Sequence, residues 1–157
     1  MRHVFIFVAI FAFAAAAADF KFGELTLTVP DGFVVERIAA PPLVNRPVSI
    51  SLDDAGRLYV TDSAGMAGSL NEQLKTRPHN LLRLTDADGD GAYEKSALFA
   101  DKLMFPEGCL WLEGSVYSSG PPQIWKFTDA DNDGVAEKRD LWLDAKTLTG
   151  CANDLHG

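Results

Sequence analysis

Two acidic loops carry the residues whose types and spacing could perform chemistry. The first loop has carboxylates at its positions 1, 3, 5 and 9, and the second repeats this spacing 43 residues later. Both loops have glycine at position 6, which suits a sharp turn because glycine lacks a Cβ. The residues are Asp86, Asp88, Asp90, Gly91 and Glu94 in the first loop, and Asp129, Asp131, Asp133, Gly134 and Glu137 in the second.

This spacing favours a hard divalent cation, and Ca²⁺ in particular. Ca²⁺ accepts about six to eight oxygen ligands, which alternate acidic residues and a backbone carbonyl at position 7 can supply from one short loop. The position-7 carbonyls belong to Ala92 and Val135. Without an ion, carboxylates crowded within a few ångströms repel one another. The alternative is a pair of solvated acidic turns, which leaves the repeated spacing unexplained.

The two loops differ from EF-hands. An EF-hand closes with a bidentate Glu at position 12 and is flanked by helices. Here position 12 is Ala97 in the first loop and Asp140 in the second, and the flanking runs 81–84 and 124–127 look like strands. We therefore expect the ion to staple strands together rather than to operate a signalling switch.

Strand patterns dominate the residues that must position these loops, which predicts an all-β fold. Alternation of apolar and polar residues, interrupted by short turns, predicts two hairpins. Their strands are 48–52 and 57–61 in the first hairpin, and 108–112 and 115–118 in the second. Residues 33–39 are rich in β-branched side chains and are also predicted to form a strand. Residues 63–79 are polar and weakly patterned, so we expect a surface insertion with a solvated His79.

The hairpins and the acidic loops together form an internal repeat. Each unit contains a hairpin, a strand, an acidic loop and another strand, which is the content of one four-stranded β-propeller blade of about 40 to 45 residues. The aromatic residues of these strands are expected to pack between blades rather than to form a carbohydrate platform. Because a propeller needs about 4 to 8 blades, we expect the first blades of an incomplete ring.

The N-terminal residues predict export. A basic start at residues 1–3 precedes an apolar run from Val4 to Ala18, and small residues stand before Asp19. We predict a signal peptide over 1–18 and the N-terminal part of the propeller over 19–157, in the periplasm or outside the cell. The alternative is an uncleaved anchor that leaves the protein membrane-associated, but the run is shorter than the ~20 residues that span a bilayer.

The net charge and the number of cysteines each argue against one class of protein. The formal net charge of −8 disfavours binding to nucleic acid. The two cysteines, Cys109 and Cys151, are too few for a disulfide framework. Sequence leaves open whether they pair or remain as buried thiols.

Several short runs resemble the start of the PVC-type membrane-bound dehydrogenase domain. The resemblance covers nearly all of residues 19–157 and rests on the two acidic loops and on the runs 30–33, 41–48, 54–60 and 106–108. It implies a propeller related to soluble quinoprotein sugar dehydrogenases, followed in the full-length chain by helical repeats and a c-type haem domain. Asp62 stands where the family usually has Glu, and Leu81 where it usually has Arg, which weakens any ligand contact inferred at these two positions.

The resemblance also implies a catalytic histidine. In quinoprotein glucose and sorbosone dehydrogenases, a His-Gly segment supplies a general base to the central pocket, and His156-Gly157 is similar to it. A neutral imidazole is a suitable base near neutral pH. The implied cofactor is pyrroloquinoline quinone, and the implied substrate is a sugar or alcohol. The alternative is a loop histidine that is bonded to nearby backbone.

Two functions therefore follow from the sequence. One is a quinone-dependent dehydrogenase of a small sugar or alcohol. The other is a non-catalytic, calcium-stabilised propeller that binds a protein or polysaccharide, because propeller folds host many unrelated activities.

Overall fold

The computed structural model describes residues 17–65 and 69–145. Within these ranges, ten strands form three antiparallel sheets, and the chain has one short helix. The predicted all-β class is therefore confirmed, although none of the three sheets closes on itself. The described residues contain no helix that is long and apolar enough to cross a membrane.

Residues 1–37 form a separate compact unit. Its described part is an antiparallel hairpin of β1 (Ala17–Phe22) and β2 (Leu25–Pro30), joined through Gly23 at φ 65°. Strand β1 begins at Ala17, two residues before Asp19, which is the first residue after the predicted signal peptide 1–18. Residues 1–16 of that predicted segment lie outside the described residues.

Residues 38–157 form the second unit, which contains two four-stranded sheets of the same design. In both sheets neighbouring strands follow one another in sequence, and an acidic loop joins the last two strands. The predicted hairpins are confirmed as β3–β4 and β7–β8. The first sheet consists of β3 (Pro47–Leu52), β4 (Leu58–Asp62), β5 (His79–Thr85) and β6 (Lys95–Leu103); the second consists of β7 (Cys109–Leu112), β8 (Ser115–Gly120), β9 (Gln123–Thr128) and β10 (Lys138–Asp144).

The main core lies between these two sheets. It contains six buried side chains from both sheets, with Trp111 and Trp125 packed against them half-buried. Burying each large apolar side chain contributes about 1.5–3 kcal/mol. The six are Tyr59, Leu81, Phe99 and Leu103 from the first sheet, and Val116 and Phe127 from the second. A second cluster on the other face of the first sheet contains Val44, Leu58, Val60 and Leu84.

The predicted strand over residues 33–39 is wrong. This segment has no strand structure, and the side chains of Phe33 and Val34 are exposed. A strand needs a neighbour for its backbone hydrogen bonds, and no described strand pairs with these residues. The backbone N–H of Tyr93 donates to the carbonyl of Ile38 as a single contact of 2.8 Å.

The described residues between β4 and β5 are mostly exposed, as expected of a surface insertion, but the prediction of a solvated His79 is wrong. The segment contains helix α1 (Leu70–Thr76), whose N-terminus is capped by Ser69 through the backbone N–H of Glu72. His79 begins β5 and is only 3% exposed. Its Nδ1 accepts from the backbone N–H of Ala64 at 3.1 Å, so Nε2 carries the proton and donates to Gln73 Oε1 at 3.1 Å. Burial is tolerated because both ring nitrogens have partners.

Candidate metal centres

The first acidic loop joins β5 to β6, and its carboxylates converge. One oxygen from each of Asp86, Asp88, Asp90 and Glu94 lies within 4.8 Å of the other three. Gly89 and Gly91 have φ values of 79° and 93°, which a residue with a Cβ rarely adopts. These glycines allow the loop to fold back so that all four carboxylates meet.

The second acidic loop joins β9 to β10 and has the same arrangement. Asp129, Asp131, Asp133 and Glu137 bring one oxygen each within 4.8 Å of the others. Gly134 has φ 104°, and Asn132 replaces Gly89 with φ 64°. Asn is among the residues that tolerate this left-handed conformation best. The two loops therefore reach one geometry with different residues at position 4.

Backbone donors hold the carboxylates in place in both loops. The position-2 N–H donates to the position-9 Glu at 2.8 Å in each loop, from Ala87 to Glu94 and from Ala130 to Glu137. The position-6 N–H donates to the position-1 Asp at 2.9 Å in the first loop and 3.0 Å in the second. The position-7 N–H donates to the position-5 Asp at 2.8 Å in both. Each site is thus pre-organised by its own backbone.

Hydrogen bonding also keeps Asp86 ionised. The backbone N–H of Gly91 is the main cause that lowers the pKa of Asp86, with further help from the N–H of Gly89. A carboxylate that stays charged to lower pH remains a competent cation ligand over a wider pH range.

The donor set fits Ca²⁺. Calcium–oxygen distances are about 2.3–2.6 Å, so oxygens on opposite sides of one ion lie up to about 5 Å apart. The four oxygens of each cluster lie within 4.8 Å of one another, which is close enough for all four to contact one ion. The candidate side-chain ligands are all carboxylates, and most of these side chains are exposed. Hard oxygen ligands match calcium better than the softer metals, which prefer nitrogen or sulfur.

The second loop is also attached to the first sheet. Arg83 Nη1 of β5 donates to Asp129 Oδ2 at 2.7 Å, and both side chains are about nine-tenths buried. Arg57 Nη1 contacts Asn132 Oδ1 in the same loop. Arg57 is in turn held by Asp53 through a 2.5 Å contact from Nε. The second candidate site therefore contains contributions from both sheets, whereas the carboxylates of the first loop accept hydrogen bonds from backbone donors of their own loop.

The structure brings together all eight predicted carboxylates, and it places Ala92 and Val135 in the same loops. At position 12, Ala97 lies in β6 and Asp140 pairs with Lys138 at 2.8 Å. His156 and Cys151 lie outside the described residues. Cys109 is a free thiol that donates to the carbonyl of Tyr59 at 3.7 Å, and burial raises the pKa of Cys109.

Arg83 and Arg57 were not predicted as site residues. One available signal was the repeat itself, which places Arg83 and Lys126 at equivalent positions, each three residues before the first Asp of a loop. That signal indicates a cation at the position, but it does not identify the carboxylate that the cation contacts.

Comparisons with known proteins add a family but no activity. Residues 24–156 match the model of a family described as a domain of unknown function, DUF7133. No curated protein and no solved structure matches the chain.

Proposed function

The chain belongs to the DUF7133 family, and we propose that it is an exported calcium-binding β-propeller protein whose two acidic loops are structural Ca²⁺ sites. The observation that carries the calcium assignment is the recurrence of one four-carboxylate cluster, with equivalent backbone donors, in two loops 43 residues apart. Each loop connects the last two strands of its sheet, so a bound ion would stabilise the pairing of β5 with β6 or of β9 with β10.

The propeller assignment is supported by the design of the two sheets. Each is a four-stranded antiparallel meander, which is the content of a propeller blade. Their faces pack through a shared apolar core, as successive blades do. Equivalent strands carry equivalent loops, which is the regularity expected of a repeat architecture.

Calcium binding can be tested by titration and by thermal unfolding. We expect two equivalents of Ca²⁺ and a higher Tm in calcium than in chelator, because an ion that binds only the folded state stabilises it by about 2.7 kcal/mol at 100 times its Kd. Asp88→Asn and Asp131→Asn should each remove one equivalent. Asp54→Asn changes an exposed aspartate in the β3–β4 turn and should remove none. Equal melting curves in calcium and chelator would reject the proposal.

The dehydrogenase activity is proposed on the family resemblance. On this view the protein oxidises a small sugar or alcohol, a bound pyrroloquinoline quinone supplies the redox chemistry, and a c-type haem domain of the full-length chain receives the electrons. His156 would remove the hydroxyl proton of the substrate. His156 lies outside the described residues. The test is an activity assay of the full-length protein with and without the quinone, using an artificial electron acceptor.

A non-catalytic propeller that binds a protein or polysaccharide is the second candidate. It requires only the two carboxylate clusters, which the structure shows, because propeller folds host many unrelated activities. A protein that binds two calcium ions but shows no quinone-dependent activity would support this candidate over the dehydrogenase.

A further inference from the structure

One face of the second sheet is open, and we refer to it as the open face. It is the face opposite the shared core, and within the described residues no strand or helix covers it. Trp142 is 60% exposed and Leu110 is 55% exposed. A cavity of about 710 Å³ lies along it. The open face consists of Leu110, Leu112, Tyr117, Ile124, Trp142 and Leu143.

The internal repeat identifies the equivalent face of the first sheet. A shift of 43 residues relates Leu81 to Ile124 and Phe99 to Trp142, and the equivalent hairpin positions Tyr59 and Tyr117 are 58 residues apart. The ring geometry repeats as well. Tyr59 and Phe99 meet edge to face at 5.0 Å and 78°, and Tyr117 and Trp142 do so at 5.6 Å and 80°.

The two equivalent faces differ in what covers them. Tyr59, Leu81 and Phe99 are at most 3% exposed because Val116 and Phe127 of the second sheet pack on them. The first sheet thus shows how this type of face is buried: a second four-stranded sheet of the same repeat lies on it. The corresponding face of the second sheet has the same aromatic pair and lacks such a cover within the described residues.

The two sheets also carry equivalent cationic residues beside these tyrosines. Arg83 pairs with Tyr59 across β4 and β5, and Lys126 pairs with Tyr117 across β8 and β9. Arg83 reaches the covering sheet, where it contacts Asp129, the first carboxylate of that sheet's acidic loop. Lys126 Nζ lies 5.7 Å from the centre of the Tyr117 ring, and within the described residues it forms no ion pair with a carboxylate.

We propose that the open face docks a further four-stranded antiparallel sheet of this same repeat type, whose acidic loop presents its first carboxylate to Lys126. This deepens the proposed propeller and rests on it, since it names the partner of one blade face and the contact that sets its register. A second copy of the chain fits less well. The face it would have to present, on the first sheet, is partly covered by Ala39 and Val44.

The test supplies a probe sheet. The full chain is extended after Gly157 by a second copy of residues 104–145, which contain β7 to β10 and the second acidic loop. Leu143→Cys, made in the original sheet only, reports on the open face through its rate of alkylation. Its position falls in the tryptic peptide 140–146, which contains no other cysteine. Ile50→Cys, on the opposite outer face of the first sheet and 58% exposed, is the matched control.

Docking should slow alkylation of the Leu143→Cys thiol by about tenfold or more in the extended chain relative to the unextended one, because modification then requires local opening. The Ile50→Cys thiol should keep its rate. Adding Lys126→Glu in the original sheet should restore fast alkylation, whereas Lys126→Arg should not. These results together support the proposal.

Three outcomes would overturn it. The first is an unchanged alkylation rate of the Leu143→Cys thiol in the extended chain. This result counts against the proposal even if the added loop binds a third calcium ion, because the open face is proposed to order the sheet that docks on it. The second is protection of both reporters in the unextended chain with increasing concentration, which would identify a second copy as the occupant. The third is protection that is insensitive to Lys126→Glu, which would reject the proposed charge contact. Calcium stoichiometry of the unextended chain, measured on the same preparation, separates these failures from failure of the calcium proposal.

Discussion

Arg83 and Asp129 form a buried ion pair that joins the two four-stranded sheets, with Nη1 and Oδ2 2.7 Å apart. Asp129 is also the first carboxylate of the second candidate calcium site. The same carboxylate therefore contributes to sheet packing and to ion binding. Since Arg83 already neutralises part of the charge of this site, the second loop should depend less on calcium for its folded geometry than the first.

The ion pair gives a first prediction. Arg83→Met should lower the free energy of unfolding by about 3 kcal/mol in chelator, because it leaves a buried carboxylate without its partner. The loss should be smaller in calcium, since the ion then compensates the charge of Asp129. Lys126→Met alters the equivalent residue of the second sheet and should cost much less. Thermal unfolding of both variants with and without calcium measures these losses. A loss for Arg83→Met that is no larger than that for Lys126→Met, or that is the same with and without calcium, would contradict the prediction.

The two position-6 glycines give a second prediction. Gly91→Ala and Gly134→Ala both place a Cβ at positive φ, which costs about 1–2 kcal/mol. Only at Gly134 does the new Cβ also approach Arg83, at 2.5 Å from Nη2, whereas at Gly91 nothing lies within 4 Å. Gly134→Ala should therefore be the more destabilising in chemical denaturation. If the new Cβ displaces the Arg83 side chain, the stability losses of Gly134→Ala and Arg83→Met should not add in the double variant, because both changes then affect the same side chain. An equal cost at the two sites would argue against a rigid Arg83.

His79 gives a third prediction, on pH dependence. Burial lowers the pKa of His79, so the folded state binds fewer protons than the unfolded state. The contribution of a neutral His79 to the free energy of unfolding is then fully present above the pKa of the unfolded state, about 6.5. It is lost as pH falls below that value, by at most about 1.4 kcal/mol per pH unit. Protonation would also break the hydrogen bond that Ala64 donates to Nδ1.

Denaturation of wild type and His79→Gln between pH 8 and pH 5, in calcium, measures this effect. His79→Gln should lower stability at pH 8 but flatten its dependence on pH. Parallel pH profiles for the two proteins would show that another group titrates instead.

The dehydrogenase proposal gives a fourth prediction. In the full-length protein, His156→Gln should reduce quinone-dependent turnover by roughly 10² to 10⁴, which is the usual contribution of a general base. Calcium stoichiometry and Tm should stay close to wild type. The reverse result, with lower Tm and normal turnover per folded molecule, would assign His156 a structural role.

The strands and the acidic loops were predictable because their signals are local. The hairpins that became β3–β4 and β7–β8 were evident from alternation between turn residues, and each carboxylate cluster lies within nine consecutive residues. In such short loops, chain connectivity and one or two glycines almost determine where the side chains meet. The same carboxylate spacing also occurs twice, 43 residues apart, which supports the same interpretation of both loops.

The wrong and missing predictions concern contacts between distant residues. Residues 33–39 have the composition of a strand but lack a described partner strand, and His79 lies in a polar segment but is buried beside helix α1. Composition does not show whether a neighbour is present to complete the hydrogen bonds or to exclude water.

The sequence by itself determined which residues could bind an ion and in which order the strands of each sheet follow. Only the tertiary structure decided that Arg83 meets Asp129, 46 residues away, and that Tyr59 is covered whereas its equivalent Tyr117 lies on the open face. The physical reason is that geometry within one loop is set by the covalent chain, whereas contacts between sheets are set by how their faces pack.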